Sequence, residues 1–358
     1  MFLKKSFLSG FFMDLLCILE PRQERILFAV IKEYIRTAEP VGSSAILNRY
    51  NPGCSSATIR NDMAELEAGG YITQPHTSAG RVPLDKAYRY YVNLLLDHAI
   101  LPPAEAPVID MEYREASSRI EYVIEHTSRI LSNITRYSAL ILAPRLRKSL
   151  FKYLKLVPIT DASILMVMLT NTGSVMNKKI DLSFPLDPAD LEKITNILNE
   201  RLREAPVETF GCCLAGLALG EANENILSQI QDAAIHMAEI ENDRVVRSGV
   251  TQLFDLPEFK DIQKLKKIME LLDQEELIAE ILNKTFSAPG IRVYIGKENR
   301  LCQMEDISMI TATYNLGREP VGILGVIGPT RMNYDKVISV VNYVAESLSG
   351  KLQEFSIG

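Results

Sequence analysis

Residues 55–83 read SSATIRNDMAELEAGGYITQPHTSAGRVP, and the spacing within them decides the fold expected at the N-terminal end. Ser55 or Ser56 is suited to cap a helix. Ile59, Met63 and Leu66 then recur at i, i+4 and i+7, which places them on one inward face. The helix ends at Gly69-Gly70, where left-handed geometry carries no side-chain penalty. Tyr71-Ile72-Thr73 reads as a strand, Thr77-Ser78-Ala79-Gly80 as a turn, and Arg81-Val82 as a short return strand.

Upstream, Ile26, Leu27, Val30, Ile31, Tyr34 and Ile35 recur at helical spacing, with Pro21 suited to the first turn. Pro40 breaks the chain, and Gly42-Ser43-Ser44 leads into a short helix through Ala45, Ile46, Leu47 and Tyr50. Asn51-Pro52-Gly53 is a turn by composition. Three short helices followed by strand, turn and strand is the order of a winged helix-turn-helix. The outward face of the third helix then presents Ala57, Asn61, Ala64 and Ala68, flanked by Thr58, Arg60 and Glu65.

That face is small. A groove-reading helix needs little bulk and a few donors near its N-terminus. Asn61 suits adenine, Arg60 guanine or phosphate, and the Ala57 methyl a thymine methyl; Ser55 and Ser56 suit a phosphate oxygen. Residues 55–70 nevertheless hold only Arg60 against Asp62, Glu65 and Glu67. Phosphate contacts are therefore expected from elsewhere, with Arg49, Arg81, Lys86 and the backbone as candidates. In the wing, His76 serves either a phosphate or the turn backbone.

The bulk numbers fit a site-specific binder better than a general one. The chain has 358 residues, 47% hydrophobic and 23% charged, with a formal net charge of -6. That length implies two or three domains, and the charge requires any DNA-binding potential to be local. Cys17, Cys54, Cys212, Cys213 and Cys302 form no metal spacing and leave one unpaired in any disulfide scheme, as expected of a reduced cytoplasmic protein. Lys4 and Lys5 precede an apolar run from Phe7 to Leu19. Asp14 interrupts that run, no small-residue cleavage site follows, and it is too short to span a bilayer. Residues 1–20 are read as a leader or extra N-terminal helix, with Met13 as an alternative start.

Beyond residue 98 the pattern changes. Ala99 to Pro107 reads as a linker, and a helix carries Ala116, Ile120, Val123, Ile124, Thr127, Ile130, Leu131 and Ile134. Strands are expected at 138–142, 151–158, 163–169 and 175–180. A helical block runs from Ala189 to about Leu282, its strongest stripe Ile226, Ile230, Ala233, Ala234, Met237 and Ile240. Strands return at 291–295, 309–314 and 322–327, and a final helix at about 335–348. A sheet domain interrupted by an insertion accounts for this order. Gly322 to Pro329 mimics a nucleotide loop, but Pro329 removes a donor where a phosphate cradle needs one; a glycine-rich strand is the better reading. Arg331 is read as fixing the start of the last helix, and Tyr88 and Tyr91 as core.

The segments PVGSSAIL, SSATIRNDMAELEAGGYI, PHTSAGRVP and DKAYRYYV resemble the N-terminal signature of the HrcA heat-inducible transcription repressors. LPEFKD and IGPTRMNYDKVISVVNYV resemble that family's central and closing motifs. Ser56, Leu84 and Ala87 depart from the usual Pro, Thr and Gly. The resemblance implies an α+β multidomain chain: a winged helix-turn-helix at 21–98, a linker at 99–107, and a GAF-like α/β sheet domain at 108–185 and 288–358, interrupted by a mostly helical dimerisation insertion at 186–287. It further implies a homodimeric repressor of chaperone operons, bound to double-stranded DNA at an inverted repeat called CIRCE and supported by the GroE chaperonin. No cofactor, metal, catalytic residue or membrane contact is expected. Carried over by position, the recognition helix is Ser56 to Ala68 and the wing about Tyr71 to Val82. The expected DNA-binding set is Ser55, Ser56, Ala57, Thr58, Arg60, Asn61, His76, Thr77, Ser78, Arg81 and Lys86. The rival reading is a transcription factor that senses a small ligand in a GAF-like pocket.

Overall fold

A computed structural model describes residues 19–77, 79–98, 100, 102–115, 120–144, 150–170, 175–182, 187–206, 209, 228–230, 232–233, 244–286, 290–299 and 304–357. The chain divides into two units, Met1–Asp97 and His98–Gly358. The leader, Ser78 and most of the 226–240 stripe lie outside the described residues.

The first unit opens with α1 (Pro21–Thr37), which buries Ile26, Leu27, Val30 and Ile31. Next come α2 (Ser43–Tyr50), buried through Ile46, and α3 (Ser56–Ala68), buried through Ile59, Asp62, Met63 and Leu66. A ribbon of β1 (Ile72–Thr73) and β2 (Val82–Pro83) pairs Ile72 with Pro83 and Thr73 with Val82, antiparallel. Then α4 (Asp85–Asp97) buries Ala87, Tyr88, Tyr90, Tyr91 and Val92. Rings close the core: Phe28 meets Tyr91 edge-on at 5.1 Å and Tyr71 meets Tyr90 at 5.9 Å. Burial and a hydrogen bond to Glu24 push the Tyr90 hydroxyl up to about 12.

In the second unit α5 (Ala106–Glu115) and α6 (Ile120–Thr135) precede β3 (Ser138–Leu142). A hairpin pair β4 (Phe151–Thr160), β5 (Ser163–Thr170) and β6 (Val175–Asp181) leads to α7 (Pro188–Arg201). After β7 (Val245–Ser248) and two short 3-10 turns come α8 (Ile262–Asp273) and α9 (Glu275–Thr285). The described chain closes with β8 (Ile291–Ile295), β9 (Ile307–Leu316), β10 (Glu319–Pro329) and α10 (Tyr334–Ile357).

These strands form two antiparallel sheets, β7-β3-β10-β9-β8 and β4-β5-β6. One core joins Leu140, Leu142, Ile323 and Ile327 of the larger sheet to Phe259, Ile268, Leu271 and Leu282. The other joins Leu154, Leu156, Ile164, Met166 and Met168 to Leu191, Ile194, Leu198, Ile230 and Ala233. The residues at which the insertion is expected to begin and end, 186 and 287, lie outside the described residues. The smaller sheet packs with α7, while β7, α8, α9 and the LPEFKD segment build on the larger sheet. Asn199 secures α7 to the edge of β4: its side chain both accepts the Leu154 N–H and donates to the Leu154 carbonyl, each at 2.7 Å.

The glycines of β10 make room for neighbouring chains. A Cβ at Gly322 would stand 2.2 Å from the Tyr314 hydroxyl oxygen, and one at Gly328 would stand 2.6 Å from the Tyr137 ring. Tyr314 uses that space to donate to the Leu142 carbonyl at 2.8 Å. Arg331 pairs with Glu258, joining the closing motif to the central one.

Candidate nucleic-acid interface

The turn between α2 and α3 sets where the third helix starts. Ser55 is its cap: the Oγ accepts the Thr58 N–H at 3.2 Å and lies 2.9 Å from the Thr58 hydroxyl. Ser56, in the first turn, has its hydroxyl 3.2 Å from that of Ser43 at the start of α2. Arg60 Nε donates to the same Ser43 Oγ at 3.3 Å, so α2 steadies the guanidinium.

With Ile59, Met63 and Leu66 buried at 5% exposure or less, Ala57, Arg60, Asn61, Ala64, Glu65 and Ala68 remain exposed on α3. Ala57 and Asn61 lie one turn apart, with no long apolar chain among the exposed residues of this helix. The geometry is that of a thin rod with an amide on one side.

The acidic residues are accounted for by partners the sequence did not reveal. Asp62 is only 2% exposed and lies on the inner face. Arg22 of α1 donates to both its oxygens, and this bond raises the Arg22 pKa above its ordinary value. Gln23 donates to Glu65, again from α1. Glu67 lies 2.8 Å from Arg81 Nε and accepts the backbone N–H of Gln74 at 2.9 Å. Two of the acids are thus tied to α1 and the third to the ribbon.

Each of the three candidates for phosphate contact has an internal partner in the structure. Arg81 holds Glu67, and its backbone exchanges hydrogen bonds with Val41 at 2.8 and 2.9 Å. Lys86 donates to the Gly69 carbonyl at the end of α3 (2.8 Å) and stands over the Tyr71 ring at 4.4 Å. Arg49 is half-exposed and 3.5 Å from Glu33. His76 and Thr77 are exposed at the ribbon's turn, where the His76 carbonyl accepts the Ala79 N–H at 2.8 Å. Gly80 is pressed onto backbone; a Cβ there would come within 2.4 Å of the Val41 carbonyl carbon.

Among the described residues no group of three metal-ligating side chains gathers, and no helix is long and apolar enough to cross a membrane.

Comparison with known proteins gives the family of the chain. The family model described as the HrcA protein C terminal domain matches residues 121–338. The heat-inducible transcription repressor HrcA of Brevibacillus brevis is 39% identical, covering 94% of this chain and 98% of the relative. The protein of the same name from Pelotomaculum thermopropionicum is 38% identical over 95% of this chain and 99% of its own. A crystal structure described only as that of a hypothetical protein matches with a TM-score of 0.63 and 26% identity, covering 94% of this chain and 98% of that one. Family match and full-length relatives agree: the chain belongs to the HrcA family of heat-inducible transcription repressors, regulators and not enzymes.

Proposed function

We propose that the first unit is a winged helix-turn-helix that places α3 in the major groove of duplex DNA. The observation that carries this reading is the exposure of Ala57 and Asn61 opposite the buried Ile59, Met63 and Leu66. Asn61 reads a base edge, and Ala57 allows the close approach that reading needs. Ser55, Ser56, Thr58 and Arg60 contact the backbone or an adjacent base. His76, Thr77 and Ser78 reach DNA from the wing, and Arg81 and Lys86 lie beside it as positive charge.

The operator is the inverted repeat CIRCE ahead of GroE- and DnaK-type chaperone operons, bound by a homodimer whose two-fold axis matches the repeat. The larger sheet is the GAF-like domain. The interrupting body carries dimerisation; Tyr153, Val157 and Val175 support this role, being exposed apolar residues on the face of β4-β5-β6 opposite its core. The protein acts in the cytoplasm, is released on heat stress and depends on the GroE chaperonin for its active state. That release follows from mass action if heat lowers the folded fraction faster than the chaperonin restores it.

Footprinting on the DNA upstream of chaperone operons in the source genome tests the reading. Protection of two half-sites related by a dyad supports it. Protection of one site without a symmetric mate removes the dimer, and no protection removes the DNA assignment.

A further inference from the structure

Building on the DNA-binding reading above, we propose that Glu67 is a positioning residue that locks the wing to the end of α3, so that helix and wing meet DNA as one body. Its single carboxylate spans the neck of the ribbon. Oε1 accepts the N–H of Gln74, the first residue beyond β1, and Oε2 faces Arg81, the residue before β2. Gln74 carries the restraint outward, its Nε2 donating to the Thr77 and Ala79 carbonyls, both at 2.9 Å. Arg81 is anchored on its other side by Val41.

A ribbon with two paired residues in each strand has too little pairing to hold its own direction. The bonds from Glu67 and Val41 supply that direction from outside. The charge pair is partly solvated, with side chains 32% and 21% exposed, so it adds little to folding. Its contact with Arg81 lacks the alignment of a hydrogen bond. The guanidinium is therefore held by charge, and Arg81 Nε keeps its place beside the carboxylate.

The test uses the intact protein and the variants Glu67→Ala, Glu67→Gln and Gln74→Ala. Affinity for a duplex carrying the inverted repeat and for a scrambled duplex is measured over a salt series, with thermal midpoints alongside. Glu67→Ala is expected to bind the inverted repeat about tenfold more weakly, with a log–log salt slope shallower by about one, as one phosphate contact is lost. Glu67→Gln keeps an acceptor for the Gln74 N–H but loses the charge that holds Arg81, so it should recover only part of the affinity, and midpoints should stay close to the parent's. Parent-like affinity and slope in Glu67→Ala overturn the proposal. So does tighter binding, which would mean that the carboxylate withholds Arg81 from phosphate, and so does a loss matched by collapse of the thermal midpoint. A parent protein that fails to distinguish the two duplexes overturns the DNA-binding reading as well; one that distinguishes them while Glu67→Ala behaves identically overturns only the positioning role.

Discussion

Arg22 of α1 grips Asp62 of α3 in a two-pronged bond, Nε to Oδ2 at 2.8 Å and Nη2 to Oδ1 at 2.9 Å. The fork geometry of a guanidinium matches a carboxylate in one orientation, so the pair fixes α3 in rotation as well as position. The rotation decides which residues face outward, and so it bears directly on Asn61.

Arg22→Ala leaves a carboxylate that is 2% exposed without its countercharge; because the Arg22 side chain itself is half-exposed, the loss falls short of that for a fully buried pair. The thermal midpoint of the first unit should fall, and adding Asp62→Asn should restore part of the loss. A double-mutant cycle on thermal unfolding checks this; strictly additive effects would show the two residues uncoupled.

Gly80 lies against the Pro40–Val41 backbone, which has no flexible end to move aside. Gly80→Ala is expected to cost about 1–3 kcal/mol through overpacking. Chemical denaturation of the isolated residues is not needed; the transition of the first unit in the whole protein, followed by a wing-sensitive probe, reads it directly. Unchanged stability would mean that the β1-β2 ribbon and the Val41 bridge separate freely.

Acid should loosen the brace between α1 and α2. The Glu33 carboxyl is nearly buried and is held below the ordinary carboxylate range, chiefly by the hydrogen bond from Arg36, against the opposing effect of burial and with help from Tyr50 and Arg49. A lowered folded-state pKa stabilises fully above the unfolded value, about 4.3 for glutamate, and that stabilisation is lost as pH falls through the folded value. Glu33→Gln should therefore flatten the fall in stability below about pH 5, measured by denaturant melts across pH. Parallel curves for parent and variant would remove Glu33 from the acid response.

Much of this was legible along the chain, and what was hidden has a common cause. Ser55 caps α3, Gly69 follows its end, and Ile59, Met63 and Leu66 are buried, because caps and helical periods are local signals. The strands around 138–142 and 291–295 were equally clear. The pairings of Arg22 with Asp62 and of Arg331 with Glu258 cross 40 and 73 residues and leave no local trace. Strand β7 was masked by the helical block around it, being only Val245–Ser248. Alternation in β4 to β6 shows that one face is buried but cannot say which core buries it. The Gly69 carbonyl that Lys86 meets is likewise 17 residues away and is brought near only by folding.

The most direct test of the central claim compares Asn61→Ala with the parent on the inverted-repeat duplex and on a scrambled one, with Lys86→Ala as a control. Loss of a base-reading amide should weaken the inverted repeat by about 1–3 kcal/mol and leave the scrambled duplex unchanged. Lys86→Ala should weaken both and lower the salt slope by about one. If Asn61→Ala matches the parent on both duplexes, α3 does not read the operator through its exposed face, and the account of this interface is contradicted.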